Sequence, residues 1–246
     1  MSDLVFEKTY DVNSINININ KRLGLFGMLG ILQDTGAIHA EHLGFGLEDM
    51  IKKNSFWVIT QQKLKMQYWP KWQDQVLIKT WPRRIQGLKA YRDYQIFLKD
   101  RLIGECVGTF MVLDGTTRRP VQPQLDGVHF AEGRELDLFP EKIDVPKGIE
   151  LQSKIKVRNS DLDMNNHVNN TKYSQWILDT IAIDYHRKYV VNEFNVNFIS
   201  EARLGEEIEI YSQMDEHEGH ITSYYQGVRV SDQKKVFSAR IQANRI

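Results

Sequence analysis

The chain has 246 residues, 41% hydrophobic and 26% charged, with 32 basic and 32 acidic side chains. That length suits one large domain or two of about 120 residues, and the balanced charge argues for neither nucleic acid nor an anionic membrane as a partner. The single cysteine, Cys106, excludes an intrachain disulfide and a Cys-based zinc site, and no apolar run is long enough to predict a membrane span. The first residues carry neither an apolar signal core nor an Arg/Ser-rich, acid-poor leader, so a cytoplasmic protein is expected.

From Leu23 to His42, apolar and small residues (Leu25, Met28, Leu29, Leu32, Gly36) recur with helical spacing and predict an amphipathic helix. Gly24, Gly27, Gly30 and Gly36 lower its propensity and suit a helix held tightly against a sheet. Strand-like runs follow: FWVITQQKLKMQYW, QVLIKTW after a WPKWQD turn, LKAYRDYQIFLKD and RLIGECVGTFMVLD. Cys106 lies in the last of these, as a buried structural thiol. Between Pro120 and Glu150 stand four of the six prolines with little periodicity, the mark of a linker. Residues 1–118 then form a first domain, 119–150 the linker and 151–246 a second domain.

The second half repeats the order of the first. A helix with Asn169 or Asn170 as N-cap carries Tyr173, Trp176, Ile177, Thr180, Ile181 and Asp184 at three- and four-residue spacing. FNVNFIS, a turn at EARLGE, EIEIYS, ITSYYQGVRV and KKVFSARIQA follow. Asp34-Thr35 and Asp179-Thr180 stand 145 residues apart, whereas the turns before the next strands, at Gln73 and Gly205, stand 132 apart. The difference of 13 is expected in the loop after the first helix. A helix followed by meandering antiparallel strands, occurring twice, predicts an α+β fold built by duplication. A second copy packed sheet to sheet would cover the first and leave a seam for an elongated apolar ligand.

Asp161 to Trp176, DLDMNNHVNNTKYSQW, breaks the symmetry. Asp163, Asn165 and His167 alternate, so in an extended backbone their side chains leave on one side. A His with polar neighbours just before a helix N-terminus suits carbonyl chemistry, because free N–H groups and the helix dipole favour an oxyanion. The matching segment of the first half, VNSINININKRLG, has no His and no acid beyond Asp11. The other histidines fit structural places. His217 and His220 fall at a predicted hairpin tip, and His39 and His42 lack zinc-helix spacing.

These residues resemble the signature of the fatty acyl–acyl carrier protein thioesterases. The family pattern D-x-N-x-H-V-N-N-x-x-Y is filled by Asp163, Asn165, His167, Val168, Asn169, Asn170 and Tyr173. Weaker similarity runs through WVITQQKLKMQYWPKWQDQVLIKTW and TTRRPVQP, so the likeness covers roughly the whole chain. The resemblance implies a tandem hot-dog fold, with an acyl-binding first domain and a catalytic second domain. It also implies hydrolysis of fatty acyl–acyl carrier protein to free fatty acid, without metal or cofactor. The Asp, Asn and His roles pass to Asp163, Asn165 and His167. Aligning the next strand on NVNFISEARLGE puts Glu201 where plant members have Glu, and Ala202 where they have Cys. Attack on the thioester by water rather than by a cysteine is then implied, with Glu201 as base alone or jointly with His167, and N–H groups near Asn169 and Asn170 as oxyanion donors. The acid-free run KTWPRRIQGLKAYR is either a solvated strand pair or a contact for the acidic carrier through Arg83, Arg84 and Lys89. Rival readings are an acyl-CoA thioesterase, a hot-dog dehydratase and a non-catalytic acyl-binding protein. A homodimer stays open, because duplication already supplies a hot-dog pair within one chain.

Overall fold

The computed structural model describes residues 4–124, 130 and 133–246. The first half contains β1 (Phe6–Asp11), α1 (Leu25–His42), α2 (Leu47–Lys52), β2 (Ser55–Met66), β3 (Gln75–Pro82), β4 (Ala90–Leu98), β5 (Arg101–Asp114) and the short β6 (Pro120–Val121). The second contains β7 (Glu150–Lys156), α3 (Asn170–Asp179), α4 (Ile183–Lys188), β8 (Tyr189–Phe198), β9 (Glu207–His217), β10 (His220–Arg229) and β11 (Lys235–Arg245). None of these helices is long and apolar enough to cross a membrane.

The two longer helices, α1 and α3, form where their apolar residues can be buried. α1 buries Leu25, Met28, Leu29, Leu32 and His39, and Gly36 lets it approach β4: a Cβ there would overlap the Tyr94 hydroxyl. Gly30, by contrast, faces open space, so close packing explains only part of the glycine content. The second helix stops earlier than its spacing predicts. α3 ends at Asp179, where the N–H groups of Thr180 and Ile181 turn back to the Ile177 and Leu178 carbonyls, and a separate α4 begins at Ile183.

The strands form one antiparallel sheet in the order β1-β3-β4-β5-β2-β8-β11-β10-β9-β7, with β6 paired to β5. This corrects the expected packing of sheet against sheet. The halves join edge to edge, because β2 and β8 each leave a row of backbone donors and acceptors that the other satisfies. Lys63 of β2 pairs with Asn195 of β8, and these two are themselves equivalent under the 132-residue offset, so the internal two-fold passes between them. The offset between helix starts, Leu25 and Asn170, is 145. Much of the slip between the two offsets lies in α1 itself, 18 residues against 10 in α3, rather than in the loop after it.

One face of the sheet wraps the helices over a continuous core that runs from Leu32, Leu64 and Ile96 to Phe194, Phe237 and Ile241. The other face is covered in part by residues 133–145. Leu136 and Leu138 pack on Trp81 and Val107. At the junction Glu141 pairs with Lys63 and Arg240, while its carbonyl accepts from the Asn195 and Asn197 side chains at 3.2 and 2.9 Å. Lys63 holds the Glu141 carboxyl below its usual range by hydrogen bonding.

Under this strap lies a buried ion pair. Arg83 Nε donates to both Asp93 oxygens at 2.7 and 2.8 Å, and its Nη2 donates to the Leu136 and Leu138 carbonyls. Burial still pushes the Asp93 carboxyl up, against the opposing pull of Arg83 and the Leu136 N–H. Arg83→Met is therefore expected to cost about 3–5 kcal/mol in chemical denaturation, and the pair Arg83→Met/Asp93→Leu to regain most of it, since no charge then stays buried alone.

Candidate active site

The signature run is a tight turn, not the extended segment its alternation predicts. The Asp163 carbonyl accepts from the Asn166 N–H at 3.1 Å, the Asp163 N–H donates to His167, and Leu162 bridges Val168. Asn166 takes φ +59°, a conformation Asn tolerates better than most residues. The Asp163 carboxylate fastens the turn: Oδ1 accepts from the Asn165 N–H at 2.8 Å and the His167 N–H at 3.4 Å. Asp163 thus sets the backbones of the other two residues rather than gripping their side chains.

His167 and Glu201 meet. His167 Nε2 lies 3.1 Å from Glu201 Oε2, with the side chains 20% and 33% exposed, so the pair is shielded but open to water. Glu201 sits in the loop after β8, and the two segments are tied together because the Val168 N–H donates to the Ala202 carbonyl at 2.9 Å. Arg229 fixes the loop from below, donating to the Glu201 carbonyl at 2.7 Å and to Ser200 at 3.2 Å. The other Glu201 oxygen pairs with Arg118, from the loop after β5. Ala202 is fully buried and brings no nucleophile.

The start of α3 supplies fewer free donors than expected. The Asn169 N–H is spent on the Asp161 carbonyl at 2.8 Å, the Thr171 N–H on the Asn169 side chain at 3.0 Å and the Lys172 N–H on the Asn169 carbonyl. Asn169 is therefore the cap, and the Asn170 N–H is the one left without a partner among the described residues. Asn170 borders a cavity of about 380 Å³. Its walls come mostly from the first half, including Leu29, Ala40, Phe56, Trp57 and Phe110, and Asp163, Met164, Asn165, Asn170 and Thr171 close its second-half side. His167 and Glu201 flank the turn without lining the cavity.

Of the three residues proposed for carrier contact, Arg83 is removed by its burial against Asp93 and the strap carbonyls. Arg84 and Lys89 are exposed. His217 and His220 lie at the β9–β10 hairpin tip, where Glu218 and Gly219 take positive φ. Arg118 and Arg229 join the site without being marked by the signature motif in the sequence. Arg118 had a signal only in the TTRRP run, and nothing local marks its pairing with a residue 83 positions on.

The fold matches solved structures over nearly its whole length. An acyl-ACP thioesterase from Bacteroides thetaiotaomicron superposes with a TM-score of 0.88 at 20% identity, covering 98% of each chain. The 12:0-ACP thioesterase from Umbellularia californica gives 0.82 at 18%, covering 100% of this chain and 96% of the other. These likenesses establish the tandem hot-dog fold. Residues 3–127 match the acyl-ACP thioesterase N-terminal domain and residues 146–244 the C-terminal domain, and the chain belongs to that family. An oleoyl-acyl carrier protein thioesterase of Arabidopsis thaliana is 28% identical over 76% of this chain, and a dodecanoyl-[acyl-carrier-protein] hydrolase of Cinnamomum camphora is 24% identical over 82%. The chain spans 59% and 57% of the lengths of those two relatives.

Because Asp163 acts as an acceptor for backbone N–H groups, Asp163→Asn is expected to keep turnover within a few-fold and Asp163→Ala to lose roughly tenfold or more. Steady-state rates of the two variants, with circular dichroism to confirm folding, check this.

Proposed function

We propose that this chain hydrolyses the thioester between a fatty acyl group and acyl carrier protein, releasing free fatty acid and ending chain elongation. The observation that carries the reading is the His167–Glu201 pair at 3.1 Å beside an apolar cavity whose rim holds Asn165 and the Asn170 N–H. The named activities of the family relatives support it.

The chemistry follows from the groups available. The acyl chain lies in the first-half cavity, which places the thioester carbonyl at the turn. A water beside Glu201 attacks the carbonyl carbon and gives its proton to Glu201, directly or through His167. Negative charge grows on the carbonyl oxygen, where the Asn170 N–H and the α3 dipole favour it. Asn165 orients the water or the thioester. The C–S bond then breaks, and the sulfur takes a proton and leaves as the carrier's thiol. With Ala202 at the position of the plant cysteine, attack by water is the route these residues supply. Arg84 and Lys89 remain the proposed carrier contacts, and the proposal includes a cytoplasmic location.

His167→Ala and Glu201→Gln are each expected to lower turnover by about 100-fold or more in a thiol-release assay, and a loss of less than tenfold in either would defeat the mechanism. With one acyl chain presented on acyl carrier protein and on CoA, kcat/KM should favour the carrier-bound form. Equal or better turnover on CoA would move the reading to an acyl-CoA thioesterase. Expressed in a bacterial host, the protein should raise free fatty acids. Ala40→Phe, which fills the cavity wall, should shift them to shorter chains, as read by gas chromatography.

A further inference from the structure

Glu201 is held at both carboxylate oxygens: Oε2 lies 3.1 Å from His167, with the more exposed Arg203 at 3.9 Å, and Oε1 pairs with a cation from the opposite half of the molecule. That cation, Arg118, stands on a built platform. In the loop between β5 and β6, Asp114 Oδ1 accepts from the Thr116 and Thr117 N–H groups and from the Thr117 hydroxyl. Asn54 donates to the Thr116 hydroxyl at 2.9 Å and accepts from the Gly115 N–H at 2.7 Å. The Arg118 N–H closes this turn on the Asp114 carbonyl at 2.9 Å, with Arg118 at φ +58°. The guanidinium then lies 4.5 Å above the ring of Phe56, a wall residue of the acyl cavity.

From this geometry we infer that Arg118 is a positioning residue for hydrolysis. It anchors the Glu201 carboxylate so that Oε2 faces His167, and it couples the acyl-binding half to the pair that handles the water proton. The inference rests on the hydrolytic reading of Glu201 given above. Arg118 is 41% exposed, so the competing role is a contact with the carrier protein, and the two roles move different kinetic constants.

The test compares Arg118→Ala, Arg118→Lys, Glu201→Gln and the double variant Arg118→Ala/Glu201→Gln, using acyl-carrier-protein substrate over a range of concentrations. A thermal melt of each variant confirms that it is folded. Arg118→Ala should lower kcat by about 10- to 100-fold with KM within about twofold, since misplacing a reacting group by about an ångström has consequences of that size. Arg118→Lys should recover much of the loss. In the Glu201→Gln background the same removal should cost less than about twofold, because the two residues act through one carboxylate. A raised KM with unchanged kcat would instead make Arg118 a carrier contact. An equal loss of kcat with and without Glu201 would also overturn the positioning role. Full activity in Glu201→Gln would overturn the hydrolytic reading beneath it, whereas an inactive Glu201→Gln beside a fully active Arg118→Ala would sink the positioning role alone.

Discussion

The antiparallel pairing of β2 with β8 is the constraint on which the molecule depends. Each half alone would end in an unpaired edge, and the five residue pairs from Gln61↔Asn197 to Lys65↔Glu193 close it. Because that pairing is edge to edge, both helices fall on the same face of one sheet, and α1 and α3 come into contact beneath it. The signature turn is thereby delivered to the mouth of a cavity built by the other half. The outer face at the junction carries the buried Lys63, and the strap returns to neutralise it with Glu141 while Glu193 lies 3.5 Å away. The segment between the halves is therefore a structural part of the junction as well as a tether.

The two halves bring different parts to the cavity, and the helix lengths record the difference. The longer α1 offers Leu29, Ala40 and neighbouring residues as one wall of the cavity. The shorter α3 gives up that wall and presents its N-terminus to the turn. Three points meet between the two halves: the turn itself, the Asn170 N–H at the cavity, and the Arg118–Glu201 pair.

Much of the fold was legible because burial writes periodicity into a chain. Strands such as β3 and β10 alternate, central ones such as β2, β5 and β8 read instead as longer runs because they are covered on both faces, α1 shows helical spacing over a broad buried face, and the repeat offset of 132 is the same number that relates Lys63 to its cross-strand partner. The outer strands left the weakest signal: β1 alternates only between half-buried and exposed positions, and β7 is largely exposed. The signature turn misled for a different reason. Alternating polar residues fit a strand, but Asp163 competes for the backbone N–H groups and folds the segment back on itself. Arg83 looked like a surface cation because its burial depends on a distant segment, although its charge partner sits on the neighbouring strand. Asp93 lies under the strap, and the strap's own carbonyls complete the set. The Arg118–Glu201 contact is likewise a product of topology, which composition and spacing do not encode.

The joining of both halves in one chain also changes what governs their association. Two separate copies meeting along such an edge would dissociate on dilution, and their folded fraction would follow protein concentration. Here the partner edge is always present at the effective concentration the intervening segment imposes, and the strap fastened by Glu141 raises that further. Closure of the sheet is unimolecular. The proposed site, which draws its residues from both halves, is consequently assembled to the same extent in a cell holding few molecules as in one holding many.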